Sequence, residues 1–238
     1  MADNQPSFHN LRQFRLFDDL TPEVLRDLLP LLGLRHYHRG EFLFHMGESA
    51  DRLFFLHQGI VKISRLLPNG EEHILDVFGP GDTFGELSLS DAKWRVGTAQ
   101  ALSEVTVRTM TEVVFNSVAR SIPNFCLNAV RHLIDRQRRT LVYIEALTHV
   151  KKAGPRLLFI LLDLAERYGR RSGDSYQLPV SLTQEDLASL TGLNRSTVST
   201  LINDYRRSGV LGGHGHTLVI QRAPARALLA EAGLGSLD

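Results

Sequence analysis

The segment LTQEDLASLTGLNRSTVSTLINDYRRSGVL, residues 182–211, limits the possible folds of this chain more than any other feature. Thr183 and Asn194 can each accept a hydrogen bond from the first turn of the helix that follows, as helix caps do. Ala188 is small where two helices must cross, and Gly192 lies in the turn, where a positive φ favours glycine. An ordinary helical hairpin explains the apolar residues but not the small residues and both caps together. The segment therefore predicts a helix-turn-helix.

A helix-turn-helix predicts binding to double-stranded DNA, because the start of its second helix can enter the major groove. Arg195 is expected to contact a base there, since its fork fits guanine O6 and N7. Arg206 and Arg207 lie farther along the helix and are expected to contact phosphates. The other predicted DNA-binding residues are polar and lie at or near the two helix starts: Thr183, Asn194, Ser196, Thr197, Ser199 and Thr200.

The sequence after the second helix predicts a small β-hairpin. Val210-Leu211 and residues 217–220 are apolar or β-prone, and the stretch GGHGH at 212–216 separates them. Such a hairpin would make the module a winged helix-turn-helix.

Charge is unevenly distributed along the chain. Residues 1–149 carry 16 Lys and Arg against 18 Asp and Glu, whereas residues 150–238 carry 11 against 8. The C-terminal part is therefore the more basic one and the expected partner of a polyanion such as DNA.

Residues 35–111 consist of short apolar or β-prone runs separated by glycines. The runs cover 53–56, 60–64, 74–78 and 105–109. Asn69-Gly70 between two of them is a strong hairpin signal. Regular short strands with turn residues between them predict a barrel or sandwich-like β domain.

Residues 124–150 contain neither glycine nor proline and predict one long helix. Its stripe recurs at three- and four-residue steps and consists of Val130, Leu133, Gln137, Leu141, Ile144 and Leu147. Nothing short folds back against it, so we expect the stripe to face a second subunit. Packing on the chain's own β domain is the alternative. Arg136, Arg138 and Arg139 are expected to form a solvated face, with contact to a ligand phosphate as the other possibility.

Lys151 to Pro155 is expected to break this helix, because glycine and proline both end helical runs. We place a domain boundary there, which predicts a sensor domain over 1–123, a dimerisation helix over 124–150 and a DNA-binding domain over 151–238. Within the last domain, a helix over 156–168 and a polar loop are expected before the helix-turn-helix.

With both halves in view, the chain resembles the cyclic-AMP receptor protein / FNR family of bacterial regulators. The resemblance covers about Leu16 to Ile220 and rests on RGEFLFHMGESADRLFFLHQGIVKI, on FGPGDTFGELSL, on the long helix and on the helix-turn-helix. It implies an α+β fold with an N-terminal β-roll, a jelly roll like those that bind cyclic nucleotides, followed by a long dimerisation helix and a C-terminal winged helix-turn-helix. It also implies a homodimer on a two-fold operator with half-sites about 34 Å apart. RNA polymerase is an expected partner of such a regulator. We expect an activator, although the sequence leaves repression open as the alternative.

In the family's nucleotide-binding members, the stretch after the GELSL-like motif holds a cyclic phosphate. Backbone amides and an arginine bind the phosphate, and a glutamate binds the ribose 2′-hydroxyl. The matching positions here are Gly85, Glu86, Leu87, Ser88 and Arg95. A bidentate arginine and a glycine that lets the backbone approach closely suit this chemistry.

Two departures from the family pattern bear on this site. Val96 stands where a Ser or Thr often adds a phosphate hydrogen bond, and Leu141-Val142 stand where cyclic-AMP binders place a Thr-Ser pair, with Thr140 one residue away. A lost hydrogen bond to a buried ligand group costs about 1–3 kcal/mol. A cyclic nucleotide, another small ligand and no ligand all stay open, as does an internal ion pair of Glu86 and Arg95 that holds the roll shut.

A metal- or haem-dependent function is the rival interpretation. His36 and His38 on one strand, followed by Glu41, resemble a cupin metal motif, but the spacing to the glutamate is too short. His73 or His45 could serve as a haem ligand, although a lone strand histidine is usually structural. Cys126 is a single cysteine and excludes an internal disulfide or a cysteine cluster within one chain.

Other function classes lack their sequence features. No P-loop, HExxH motif or Ser-His-Asp constellation is evident, so we expect no catalysis. No run of 18 apolar residues and no signal peptide are present, which favours a cytoplasmic protein. A nucleotide-gated kinase or channel module would need a catalytic or membrane segment that this sequence does not carry.

Overall fold

The computed structural model describes residues 8–86, 94–148, 152–178, 182–213 and 217–234. Within these ranges the helices are α1 (Pro22–Leu28), α2 (Glu112–Ser121), α3 (Pro123–Thr148), α4 (Ala153–Tyr168), α5 (Gln184–Thr191), α6 (Arg195–Arg207) and α7 (Arg222–Glu231). The strands are β1 (Gly33–Tyr37), β2 (Phe42–Phe44), β3 (Arg52–Gln58), β4 (Val61–Leu66), β5 (Glu72–Phe78), β6 (Thr83–Phe84), β7 (Thr98–Ala101), β8 (Val105–Thr111), β9 (Arg170–Ser172), β10 (Ser175–Gln177), β11 (Leu211–Gly212) and β12 (Val219–Gln221). Short 3-10 helices occupy Phe8–Gln13, Arg15–Phe17 and Leu29–Leu31.

The N-terminal strands form a β-roll of two four-stranded sheets, with the orders β1-β8-β3-β6 and β2-β7-β4-β5. Strand β8 pairs antiparallel with both β1 and β3. Both sheets contribute apolar side chains to one core, in which the Phe54 and Phe84 rings stack with centroids 5.1 Å apart. The predicted β domain is therefore confirmed, because short strands with one apolar face bury that face only by packing sheet on sheet.

The predicted Asn69-Gly70 hairpin is also confirmed. It joins β4 to β5, and Gly70 has a φ of +85°. The Leu67 amide donates to the Glu71 carbonyl at 2.8 Å, and the Gly70 amide donates to the Leu67 carbonyl at 2.9 Å. Glycine suits this turn because it adopts a positive φ without steric strain.

The predicted long helix is present as α3, Pro123–Thr148. Its first turns pack through Phe125 into a second core, which contains Phe14 and Phe17 of the N-terminal segment and Phe55 of β3. Asn128 is buried, and its side-chain amide donates to the Asp18 carbonyl at 2.7 Å. Residues 149–151, which include the predicted end of the helix, lie outside the described residues.

The predicted start of the next helix, at Arg156, is wrong. Helix α4 begins at Ala153 with Lys152 as its N-cap, so Gly154 and Pro155 belong to its first turn. Proline is tolerated in a first turn because the amides there have no partner within the helix. The predicted polar loop after α4 instead contains the hairpin β9–β10, and α7 follows the wing.

The described residues divide into two compact units, one within Met1–Ile63 and Phe78–Gln137 and the other within Ser64–Val77 and Arg138–Asp238. This division falls inside α3 rather than at the predicted boundary after residue 150. Residues 64–77 belong to the second unit because strand β5 of the hairpin contacts helix α5. Ser189 Oγ of α5 donates to the Glu72 carbonyl and accepts from the Ile74 amide, each at 2.7 Å. The three functional domains remain a prediction.

Candidate nucleic-acid interface and effector pocket

Helix α5 begins and ends at the residues that the sequence indicated. Thr183 Oγ1 accepts from the Asp186 amide at 3.0 Å, and an Asp186 carboxylate oxygen accepts from the Thr183 amide at 2.9 Å. This reciprocal capping box fixes the first turn. At the other end Gly192 has a φ of +64°, which turns the chain sharply toward α6. Ala188 is buried, as expected for a small residue where α5 meets α6.

Helix α6 presents a polar start. Asn194 Oδ1 accepts from the Thr197 amide and from Ser196 Oγ, each at 2.8 Å, which confirms Asn194 as the N-cap. Val198 and Ile202 form the buried face of the helix. The predicted base-contacting side chains lie on the other side: Asn194, Arg195, Ser196 and Thr200 are exposed, and Thr197 and Ser199 are half-buried.

The arginines of the motif have different surroundings. Arg195 Nε lies 3.1 Å from Glu185 Oε1 in the first turn of α5, and both side chains are about two-thirds exposed, at 68% and 67%. Arg207 pairs with Asp204 on its own helix and is also exposed. Arg206 is half-buried and lines, with Thr183 and Arg195, a groove of about 400 Å³ between α5 and α6.

The two strands of the predicted wing are present. Leu211 faces Ile220 and Gly212 faces Val219 in an antiparallel pair, and β10 extends the sheet beyond β12. Ser208 is the C-cap of α6, and Gly209 follows it with a φ of +75°. Residues 214–216 at the predicted wing tip lie outside the described residues.

One face of α3 is apolar and exposed. Most of the predicted stripe lies on it: Val130, Leu133, Leu141 and Ile144 are about half exposed, at 49%, 49%, 59% and 51%, and Gln137 is exposed. Leu147 is half-buried, because it lies to the side of the stripe after the helix has turned. Leu127 and Ile134, which the predicted stripe did not include, are exposed on the same face. The predicted stripe contained about one residue per helical turn, and these two residues lie beside that row.

The predicted effector residue Glu86 has an arginine partner. Arg136 Nη1 of α3 lies 2.6 Å from Glu86 Oε2, and the two side chains are 19% and 11% exposed. The Arg136 guanidinium also lies 5.0 Å from the centre of the Phe78 ring. The expectation that Arg136 is a solvated surface residue is therefore wrong. A carboxylate and a ring on the roll cover it, and the local helical pattern could not indicate either.

Arg95 is also buried, and its side chain contacts the backbone of Gly85. Its Nη2 donates to the Arg52 carbonyl at 3.0 Å and its Nη1 to the Gly85 carbonyl at 3.4 Å, while the guanidinium lies 4.4 Å from the centre of the Phe44 ring. Burial lowers the pKa of this guanidinium below its ordinary value. Glu86 thus makes its ion pair with Arg136, not with Arg95, so the predicted internal pair has a different basic partner.

Arg95 also lines a polar cavity of about 430 Å³. The cavity wall includes Arg35 and Tyr37 of β1 and the Asp51–Arg52 pair, in which Arg52 Nη2 lies 2.7 Å from Asp51 Oδ2. Burial raises the pKa of the Tyr37 hydroxyl. Glu86 is not part of this wall, so the two charged residues predicted to hold one ligand face different surroundings.

The remaining predicted ligand residues are dispersed. Val96 is 47% exposed, Thr140 is exposed on α3, and Leu87 and Ser88 lie outside the described residues. Gly85 has a φ of +85°, and a Cβ there would meet Arg95 Nη1 at 3.0 Å. The positive φ therefore favours glycine at this position, and any side chain there would also have to shift Arg95.

The histidines of the rival metal interpretation have separate partners. His36 Nδ1 lies 3.1 Å from Thr106 Oγ1, and His38 Nδ1 lies 3.0 Å from Glu104 Oε2. Within the described residues, no three His, Cys, Asp or Glu side chains form a group that could hold a metal ion. The same residues include no helix that is both long and apolar enough to cross a membrane.

Comparisons with known proteins cover most of the chain. A cyclic nucleotide-binding domain model matches residues 34–121, and a Crp-like helix-turn-helix domain model matches residues 155–225. The CRP-like cAMP-activated global transcriptional regulator of Mycobacterium tuberculosis is 33% identical over 86% of this chain and 91% of that protein. The cyclic AMP receptor protein of Thermus thermophilus is 29% identical over 92% of this chain and 97% of that protein. Among solved structures, TTHB099, a CRP-family transcriptional regulator from Thermus thermophilus, is 26% identical with a TM-score of 0.68, covering 82% of this chain and 96% of that one.

The chain belongs to the CRP/FNR family of transcription regulators. The predicted family, the α+β fold class and the function as a DNA-binding regulator are thereby confirmed. The β-roll is the family's cyclic nucleotide-binding domain, and α5, α6 and the wing are its helix-turn-helix domain.

The cyclic nucleotide that the family's effector domain implies does not fit the described side chains as they stand. The Glu86 carboxylate, expected at the ribose, is in contact with Arg136. Arg95, expected at the phosphate, donates to two backbone carbonyls. Val96 provides no hydroxyl beside it. A nucleotide held in the family's manner would have to displace the partners of both charged residues.

Proposed function

We propose that the protein binds a two-fold operator as a homodimer and recognises bases through the start of α6. The observation that carries the proposal is the exposed position of Arg195 at the first residue of a capped helix whose opposite face is buried. The N-terminal residues of a recognition helix are those that reach base edges in the major groove. Two such helices, one from each subunit, would contact half-sites about 34 Å apart.

The exposed apolar face of α3 supports the homodimer. Leu127, Val130, Leu133, Ile134, Leu141 and Ile144 expose about half of their surface each. A row of this length on a single helix suits a parallel partner helix, in which each residue meets its own copy near the two-fold axis.

Replacing Arg195 by alanine is expected to weaken binding at one base position of the operator. The operator is first obtained by selecting sequences bound by the full-length protein from random DNA. Arg195→Ala should then lower the preference for guanine at one symmetric position by about 1–3 kcal/mol per half-site and leave the other positions unchanged. Competition binding against operators with single-base changes measures this preference.

Arg207→Ala is the matched control for this experiment, because it removes the same charge near the other end of α6. We expect it to weaken binding to all sequences alike and to reduce the salt dependence of binding, as loss of a phosphate contact does. If Arg195→Ala behaved in the same way, Arg195 would be a phosphate contact and the proposed base recognition would be wrong.

Our proposal for the effector domain is that operator binding does not require cyclic AMP. Its support is the pairing of Glu86 with Arg136, the hydrogen bonds of Arg95 to the backbone and the absence of a hydroxyl at Val96. A ligand activates only by binding the DNA-competent state more tightly than the other state. We therefore expect operator affinity to change by less than about threefold, which corresponds to roughly 0.7 kcal/mol, when cyclic AMP is added.

Titrating a labelled operator with the protein, with and without millimolar cyclic AMP, tests this expectation. Cyclic GMP and AMP serve as matched nucleotide controls. An increase in affinity of tenfold or more with cyclic AMP alone would contradict the proposal and would favour the cyclic-AMP-activated behaviour named for the Mycobacterium tuberculosis relative.

The proposal also includes activation through contact with RNA polymerase, which transcription in vitro from an operator-bearing template would test.

A further inference from the structure

The ion pair between Arg195 and Glu185 joins the first turns of the two helices of the DNA-binding motif. Arg195 is the first residue of α6 and Glu185 the second residue of α5. The contact involves Nε of the guanidinium, 3.1 Å from Glu185 Oε1. A guanidinium held at Nε still presents the edge formed by its two Nη groups.

The two backbones that carry this pair are held firmly. Glu185 lies in the sequence between Thr183 and Asp186, whose side chains form the capping box of α5. Asn194, the N-cap of α6, directly precedes Arg195. Glu185 therefore projects from a capped first turn, and its carboxylate lies beside the start of α6, where Arg195 begins the helix.

Stability alone does not explain the pair. Both side chains are about two-thirds exposed, and an ion pair between exposed residues contributes little to folding because water screens it. A carboxylate on a DNA-binding surface also repels phosphates. Its position therefore has a cost for binding to any DNA sequence, which a gain in base recognition would offset.

We propose that Glu185 is a specificity-determining residue that orients the guanidinium of Arg195 toward guanine. The carboxylate attracts the guanidinium at its Nε side, which leaves the two Nη groups as the pair of donors that fits guanine O6 and N7. This inference rests on the proposed function of Arg195 as the base-contacting residue. Its physical basis is preorganisation, since a side chain that is already ordered loses less freedom when it binds.

The test measures base preference rather than affinity alone. Full-length wild type, Glu185→Ala, Glu185→Gln and Arg195→Ala are titrated with the selected operator and with operators that carry another base at the Arg195 position. Glu185→Ala should lower the preference for guanine by about two- to tenfold, the effect of releasing one flexible side chain. Its affinity for random DNA should rise, because a negative charge is lost.

Glu185→Gln separates orientation from charge. Its amide keeps a polar group of the same length beside Nε, so we expect part of the guanine preference to return, while the affinity for random DNA stays as high as in Glu185→Ala. Asp204→Asn is the matched charge control. It removes a carboxylate from the exposed pair with Arg207 on the same domain and should leave the base preference unchanged.

Two further outcomes are distinguishable. If Glu185→Ala, Glu185→Gln and Asp204→Asn raised affinity for all sequences alike with an unchanged guanine preference, Glu185 would act only through its charge, and the inference would be overturned while Arg195 kept its role. If Arg195→Ala itself left the guanine preference unchanged, the proposed function of Arg195 would fail, and the orienting role of Glu185 would fail with it.

Discussion

The double substitution Ile134→Glu and Leu141→Glu is expected to separate the protein into monomers that still fold. Both side chains are more than half exposed, at 51% and 59%, so the single chain loses little packing when they are replaced. They lie two helical turns apart on the same face of α3. In a symmetric pair of parallel helices each glutamate would face its own copy, so apolar contacts would be lost and like charges would be brought together.

The expected size of this effect follows from burial. Four leucine-sized side chains, two from each subunit, contribute about 1.5 kcal/mol each when buried, so their loss would weaken the dimer by roughly 6 kcal/mol. A monomer can contact one half-site only, and operator affinity should fall by about 100-fold or more because the second half-site no longer binds as part of the same molecule. Sedimentation velocity measures the oligomeric state, and operator titration measures the affinity.

Val113→Glu is the matched control for the dimer experiment. Val113 is 78% exposed on α2 and does not belong to the face of α3, so this substitution should leave both the sedimentation coefficient and the operator affinity unchanged. If the double variant of α3 sedimented as the wild type does, the apolar face would not be the dimer contact.

Local sequence signals were sufficient for the DNA-binding motif. Thr183, Asn194 and Gly192 act on backbone within one or two helical turns, and each is observed in the predicted role. The same holds for Asn69-Gly70, because a tight turn depends on its own residues. The β-roll followed from the spacing of such turns between apolar runs.

Contacts between residues that lie far apart in the sequence could not be predicted. Nothing near Arg136 in the sequence indicates its contact with Glu86, because the partner lies on a different element and the pattern around Arg136 is that of a solvated helix face. The β9–β10 hairpin was missed for a related reason. Its strands, RRS and SYQ, are too short and polar to show alternation, and pairing of β10 with β12 stabilises them.

The predicted boundary near residue 150 rested on the glycine and proline there, whereas the two compact units are defined by contacts between residues. Gly154 and Pro155 are helix breakers in general, yet both fit the first turn of α4. The amides of a first turn have no partner within the helix, so the amide hydrogen that proline lacks is not needed there. The contacts of Ser189 with the backbone of Glu72 and Ile74 involve a hydroxyl and main-chain atoms. Such contacts leave no pattern in a single sequence.

Removing the carboxylate of Asp163 is expected to destabilise the C-terminal unit strongly. Asp163 lies on α4 and is 4% exposed. Its Oδ2 accepts from the Tyr143 hydroxyl and lies 3.3 Å from Arg167 Nη1. Burial, together with the nearby Asp163 charge, raises the pKa of Tyr143 well above its ordinary value, so its hydroxyl stays protonated as the donor. Asp163→Ala leaves this hydroxyl without its acceptor and removes the counter-charge of Arg167.

Breaking a buried pair in this way costs about 3–5 kcal/mol, because the charge that stays behind loses its compensation while it stays desolvated. For a chain of this size the loss corresponds to a decrease in melting temperature of roughly 10 °C. Asp163→Asn keeps an acceptor for Tyr143 and should lose less, and Asp204→Ala, at the exposed pair with Arg207, should lose less than about 1 kcal/mol. Urea unfolding followed by circular dichroism ranks the three variants. Equal losses for Asp163→Ala and Asp204→Ala would mean that the buried pair is no more important for stability than an exposed one.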